Sequence, residues 1–282
     1  MNGLHELPLV IFTVLAQSVV GAFLVFSMVL FTTQDVHYRR YIHKAMFVLL
    51  ALLSIGFVAS IAHLGSPLRA FNSLNRVGES MLSNEIATGA LFFIFASVYW
   101  LFAMLDKLPK AVASLLLVLA SAVGVIFMYM MNQVYHIATV PTWNTSFTTW
   151  GFYLTVILGG FTLGYALLHT ERPDGKVITW VPTVISIMAF VAAIVAMYQG
   201  VALAGIVTSV QKATALVPDF AVLTALRFCL IGLAVVLLFY VVHKPTSIMS
   251  KIIAVFCVLA GEMIGRMLFY GLHMTAGMAV GA

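Results

Sequence analysis

The chain reads as long apolar runs separated by short charged punctuation. No Asp, Glu, Lys or Arg occurs at positions 7–34, 45–68 or 86–105. Positions 111–170 are also free of charge, but 132–149 is polar and holds Pro141, which predicts a loop between two spans. Positions 177–211 supply a sixth span, 220–242 a seventh broken only by Arg227, and 252–272 an eighth broken by Glu262 and Arg266. A helix rises about 1.5 Å per residue, so about 20 apolar residues cross a hydrocarbon layer of about 30 Å. The pattern therefore predicts transmembrane helices near 8–31, 45–64, 85–105, 111–131, 150–168, 179–199, 220–242 and 252–272. A β-barrel needs strands that alternate apolar and polar residues, and runs such as 115–120 and 234–238 do not alternate.

Composition narrows the class further. Of 282 residues, 63% are hydrophobic and 8% charged, which excludes a water-soluble globule, a disordered chain and a fibrous protein. The expected fold is all-α: a polytopic membrane protein whose residues 1–282 form one eight-helix domain. Cys229 and Cys257 make no C-x-x-C pair, so cysteine-ligated zinc and iron–sulfur clusters are excluded within the chain. The net charge of +5 reads as topology rather than nucleic-acid binding.

Orientation follows from the basic residues. Arg39, Arg40, Lys44, Lys107, Lys110, Arg172, Lys176, Lys244 and Lys251 fall in loops on one side; Arg69, Arg76 and Lys212 fall on the other. The first set is expected in the cytoplasm, which places both termini outside, in the periplasm. Residues 1–8 carry Glu6 and no Lys or Arg, so they make no signal-peptide start, and the first span is expected to be retained. The outer loops, about 65–84, 132–149 and 200–219, are the longer ones. They read as a partner-docking face or as segments lying on the bilayer.

Ionisable residues inside spans are costly and point to function. His63 closes span 2, Glu85 opens span 3, Arg227 lies roughly 10 Å into span 7, and His273 ends span 8. Glu262 falls near mid-membrane and Arg266 one turn nearer the outside. The cytoplasmic halves of the spans hold no acid or base. Each residue has a plainer reading. Glu85 follows Ser83 and Asn84 and suits a capping role, His63 suits an interfacial hydrogen bond, and Arg227 suits snorkelling. Glu262 and Arg266, four residues apart, suit an ion pair on one helix face. Their joint placement in the outer half favours a site. A histidine and a buried carboxylate both exchange protons near neutral pH, and apolar walls with few polar groups suit a flat lipid-soluble ligand such as a quinol.

No redox centre is expected in this chain. The histidines, at 5, 37, 43, 63, 136, 169, 243 and 273, fall in loops or at span ends, so no buried pair is available for a b-type haem, and no metal site is expected. A redox role then needs a cofactor-bearing partner docked on the outer side.

The residues around these candidates resemble a known family. Residues 62–76 read AHLGSPLRAFNSLNR, 82–87 LSNEIA, 140–143 VPTW and 216–219 LVPD. With His5-Glu6, residues 11–14 (IFTV), and the run from Gly261-Glu262 through Gly265-Arg266 to 269–274 (FYGLHM), they closely resemble the membrane anchor subunit of bacterial anaerobic dimethyl sulfoxide reductase, the DmsC family. The likeness covers essentially the whole chain. It implies an eight-helix anchor of the inner membrane with outward termini, in a heterotrimer with a molybdopterin catalytic subunit and a four-cluster iron–sulfur subunit on the periplasmic face. It also implies menaquinol oxidation near that face, with electrons passing to partners that reduce dimethyl sulfoxide or related S- and N-oxides in anaerobic respiration. In the family the His of H-L-G-S-P and the Glu of S-N-E are linked to quinol binding, and these are His63 and Glu85 here. Arg69, Arg76, Arg227, Arg266, Glu262 and His273 are candidates for quinol binding or partner contact. The alternatives are a secondary transporter or ion-coupled pump, for which Gly159-Gly160 would be a helix break, and a purely structural anchor.

Overall fold

In a hydrocarbon layer every backbone donor and acceptor has to be bonded within the segment that carries it, so apolar runs of this length fold as helices. The computed structural model describes residues 5–63, 67–107, 109–171, 179–207, 212–244 and 246–275, and only the backbone at 67–71 and 169–171. In chain order the helices are α1 (Leu7–Thr32), α2 (Val36–His63), α3 (Met81–Met104), α4 (Lys110–Val134), α5 (Ser146–Glu171), α6 (Val181–Ala204), a four-residue α7 (Ala213–Leu216), α8 (Phe220–His243) and α9 (Ile248–Gly271). A 3-10 helix, Pro67–Arg76, follows α2. Among the described residues, eight of these are long and apolar enough to cross a membrane, matching the expected number.

α1 and α5 form the centre. Most of α1 is buried, including Thr13, Gln17 and Ser18, and it packs against α2, α4, α5 and α9. The α1–α5 contact is a seam of small residues. A Cβ at Gly21 would fall onto the Val156 carbonyl, one at Gly160 onto the Gly21 backbone, and one at Gly159 onto the Ser18 hydroxyl. Gly159 and Gly160 therefore bring two backbones together. They do not break the span, because α5 runs on through them. α3 and α4 interlock differently: Phe127 lies over Gly89 and Phe92 over Gly124. The outer helices turn large apolar side chains outward. Phe190, Met197, Val222 and Phe256 are each more than two-thirds exposed, a surface suited to lipid.

The helices outrun the apolar spans. α2 starts at Val36, so Arg39, Arg40, His43 and Lys44 lie on a helix, where loop positions were expected. The gain is in hydrogen bonds. Arg39 Nη1 donates to the Leu30 and Thr33 carbonyls left open where α1 ends, and the Tyr41 hydroxyl donates to the Leu167 carbonyl at 2.9 Å. His43 Nε2 meets the Tyr99 hydroxyl at 3.0 Å. α9 starts at Ile248, which makes Lys251 a buried helical residue where a loop lysine was expected. Arg40 and Asp106 pair at 2.7 Å at this end of the bundle. His63, Met81, Val134, Ser146, Ala204, Phe220 and Gly271 mark the helix ends at the opposite end.

Candidate functional site

The His63 end carries two polar clusters. The first surrounds Glu85. α3 begins at Met81 with Ser80 at its N-cap, so Ser83, Asn84 and Glu85 sit inside the helix and Glu85 is not a cap. Asn84 Oδ1 instead accepts the Gly78 N–H at 2.6 Å, and Gly78 has φ +93°, a left-handed conformation that favours glycine. That turn fixes where α3 starts and so where Glu85 points. Glu85 is 3% exposed, and its Oε1 meets no hydrogen-bond donor among the described residues. At the same end of the bundle the hydroxyls of Tyr135 and Tyr270 bond each other at 2.6 Å.

His63 ends α2 at the same end of the bundle. Its Nε2 lies 3.1 Å from Glu6 Oε2, both side chains about one-third exposed. The carboxylate beside His63 is thus Glu6, just before α1. Arg76 is exposed and lies 3.6 Å from Glu79 on the connecting turn. The Arg69 side chain, residues 64–66 of the H-L-G-S-P motif, and 208–211 of the third outer loop lie outside the described residues.

The second cluster lies between α1, α5, α8 and α9. Arg227 Nη2 pairs with Glu262 Oε1 at 3.0 Å, and the Thr155 hydroxyl donates to Glu262 Oε2 at 2.5 Å. Arg266 Nη2 donates to Gln17 Oε1 at 2.7 Å and to the Thr155 hydroxyl at 3.4 Å. Its guanidinium lies 3.7 Å from the centre of the Phe152 ring. Glu262 therefore takes its direct ion pair from α8 and not from Arg266 one turn along α9, as the spacing had suggested. Arg227 does not snorkel out; only 15% of its side chain is exposed. Gly265 makes room for it, since a Cβ there would lie 2.7 Å from the Arg227 guanidinium carbon.

Aromatic side chains tie the clusters to the loop after α4. Trp143 Nε1 donates to the Phe269 carbonyl at 2.8 Å, and the Thr142 hydroxyl to the Leu272 carbonyl at 2.6 Å. His273 is exposed, with its ring 4.7 Å from that of Trp143. It supports this loop and is not part of either buried cluster.

The sequence reading missed Tyr135, Tyr270, Gln17 and Thr155. They are neutral, so a search for charge in the spans passes over them. The available signal was weaker: Gln17 is the first amide in the charge-free run 7–34, and Tyr270 lies four residues after Arg266. Chemically, Glu85 offers an acceptor oxygen that meets no donor among the described residues, and the Tyr135–Tyr270 pair offers two joined hydroxyls at the same end of the bundle. Among the described residues no three His, Cys, Asp or Glu side chains gather as a metal site would require.

The family model for the DMSO reductase anchor subunit (DmsC) matches residues 1–272. The sequence is 53% identical over 280 residues to the C subunit of anaerobic dimethyl sulfoxide reductase from Haemophilus influenzae, covering 99% of each protein. It is 48% identical over 282 residues to the YnfH subunit of an anaerobic dimethyl sulfoxide reductase from Escherichia coli K12, and 46% identical over 283 residues to the C subunit of anaerobic dimethyl sulfoxide reductase from the same organism, again covering 99% of each protein.

Proposed function

The chain belongs to the family of dimethyl sulfoxide reductase anchor subunits, and from that premise we propose that it binds and oxidises menaquinol at the His63 end of its helix bundle. That end faces the periplasm of a bacterial inner membrane. The electrons pass to a four-cluster iron–sulfur subunit and on to a molybdopterin subunit that reduces dimethyl sulfoxide or a related S- or N-oxide. The single observation that carries the reading is Glu85, a buried carboxylate whose Oε1 has no donor among the described residues, at the end of the bundle that also holds His63.

Oxidation of a quinol releases two electrons and two protons. Glu85 Oε1 accepts a hydrogen bond from one hydroxyl and takes its proton. His63 accepts from the other, and the imidazolium it becomes is held by Glu6 at 3.1 Å. The Tyr135–Tyr270 pair, whose hydroxyls bond each other at 2.6 Å, carries the first proton toward the loop after α4. The second leaves from His63, which is already partly exposed. The electrons go to the partner's nearest cluster; among the described residues no three His, Cys, Asp or Glu side chains gather to hold a metal centre. Transport has no part in this reading, and α5 is unbroken at the glycines that suggested it.

The test is Glu85→Gln and His63→Ala in the assembled complex. Each should lower quinol oxidation by about a hundredfold or more, while reduction of the S-oxide driven by reduced viologen continues. Wild-type quinol turnover in both variants overturns the assignment. A quinone photoprobe that labels only the partner subunits would make this chain a structural anchor.

A further inference from the structure

The second cluster holds two cations and one anion. Glu262 takes Arg227 on one carboxylate oxygen at 3.0 Å and the Thr155 hydroxyl on the other. Among the described residues, Arg266 bonds neutral oxygens, those of Gln17 and Thr155. A guanidinium keeps its proton in a protein, so Arg227 and Arg266 together outweigh Glu262 by one charge. Arg266 is 4% exposed and lies within a span, where an uncompensated charge is costly. A small cleft of about 50 Å³ opens onto this charge, with Gln199, Thr224, Arg227, Gly265 and Arg266 among the residues that line it. Of those lining residues Glu262 is the one acid. Arg227 Nε, Arg266 Nε and the Thr224 hydroxyl are buried and meet no partner among the described residues. Thr224 and Arg227 lie three residues apart, on one face of α8. A Cβ at Gly265 would lie 2.8 Å from Arg227 Nε, so that nitrogen rests against the backbone beside Arg266. Buried donors without partners are rare and call for an explanation.

We propose that the cleft binds a small monovalent anion of chloride's size, held by Arg227 Nε, Arg266 Nε and the Thr224 hydroxyl. Charge sets the valence: a monovalent anion cancels the excess, and a divalent one would reverse it. Volume sets the size. One water needs about 10–15 Å³, so the cleft admits a monatomic ion with water beside it and excludes a ring system. Water alone would satisfy the N–H groups and leave the charge standing in the hydrocarbon layer. The Thr224 hydroxyl and the Gln199 amide can each turn an N–H or O–H toward the anion. The bound anion completes an ionic bridge between α8 and α9, which Gln17 and Thr155 extend to α1 and α5. Its role is to hold these four helices together, independently of the quinol reading above.

The test uses the purified complex in detergent, heated in sodium chloride or in sodium gluconate at equal ionic strength. Gluconate is too large for the cleft. The fraction of this chain left soluble is read by immunoblot, so that unfolding of the partners is not counted. Chloride should raise the midpoint by about 2–4 °C. Thr224→Val, which leaves the Arg227–Glu262 pair intact, should need about tenfold more chloride for the same rise. Gln199→Glu supplies a carboxylate of its own, so it should raise the midpoint in gluconate and abolish the response to chloride. Crystals of the complex soaked in bromide should show an anomalous peak between Arg227, Arg266 and Thr224. Equal midpoints in the two salts, a chloride response unchanged in both variants, or no bromide peak at the cleft overturns the proposal.

Discussion

Glu262 is 1% exposed and is neutralised across a helix boundary, by Arg227 of α8. Breaking such a pair from one side leaves a charge in a layer that cannot solvate it. Arg227→Met should therefore cost about 3–5 kcal/mol, whereas Arg227→Met with Glu262→Met should recover most of that loss. Thermal denaturation of the purified complex checks both; equal destabilisation by the single and double variants would show that Arg227 acts by packing alone. Tyr270→Phe deletes a 2.6 Å bond to Tyr135 and should cost only about 1 kcal/mol. Quinol oxidation should nonetheless fall about tenfold if the pair relays the Glu85 proton, and unchanged turnover removes the tyrosines from the route. Glu85, Arg227, Glu262 and Arg266 were legible in the sequence because charge inside a span is conspicuous. Which of them pair was not, because spacing along one helix says nothing about what the next helix delivers. Tyr135, Gln17 and Thr155 were not legible either, since a neutral polar residue costs a span too little to stand out.

At the level of elements, the count of eight spans was legible because hydrocarbon thickness fixes the length of each apolar run. The helix ends were not. A count between charges stops at Lys44 and Lys251, but α2 and α9 continue through them, with Arg39 bonding the carbonyls where α1 ends. The glycines divide by what a side chain would meet. At Gly21 and Gly160 a Cβ overlaps the facing backbone, so Gly21→Val or Gly160→Val should separate α1 from α5 at a cost of about 1–3 kcal/mol or more. At Gly232 a Cβ meets nothing within 4 Å, so Gly232→Ala should be tolerated and should add about 0.5–1 kcal/mol. The yield of folded protein, read from detergent-extracted complex, distinguishes the two classes. Loss of folded protein in Gly232→Ala would mean that this face is covered by a partner.

For the whole molecule, the two ends of the bundle differ enough to make its orientation testable. The Asp106 end carries the Arg40–Asp106 pair with Lys44, Lys107, Lys110, Lys244 and Lys251; the His63 end carries the longer connections and both polar clusters. Thr139, beyond α4, and Lys107, beyond α3, are both exposed and lie at opposite ends. In a background with Cys229 and Cys257 replaced by Ala, Thr139→Cys in spheroplasts should react with a membrane-impermeant maleimide, and Lys107→Cys only after the membrane is opened. The reverse pattern would turn the anchor over and move quinol oxidation to the cytoplasmic side, where its protons would be released inward. The same cysteine reads out docking. The loop holding Thr139 is pinned by Trp143 and Thr142 to the carbonyls of Phe269 and Leu272, so its surface is fixed, and we propose it as part of the docking face. Co-expression of the iron–sulfur and molybdopterin subunits should then slow labelling of Thr139→Cys severalfold while leaving Lys107→Cys unchanged. Equal labelling with and without them would place the docking face elsewhere, and the electron path from the Glu85 end would have to be redrawn.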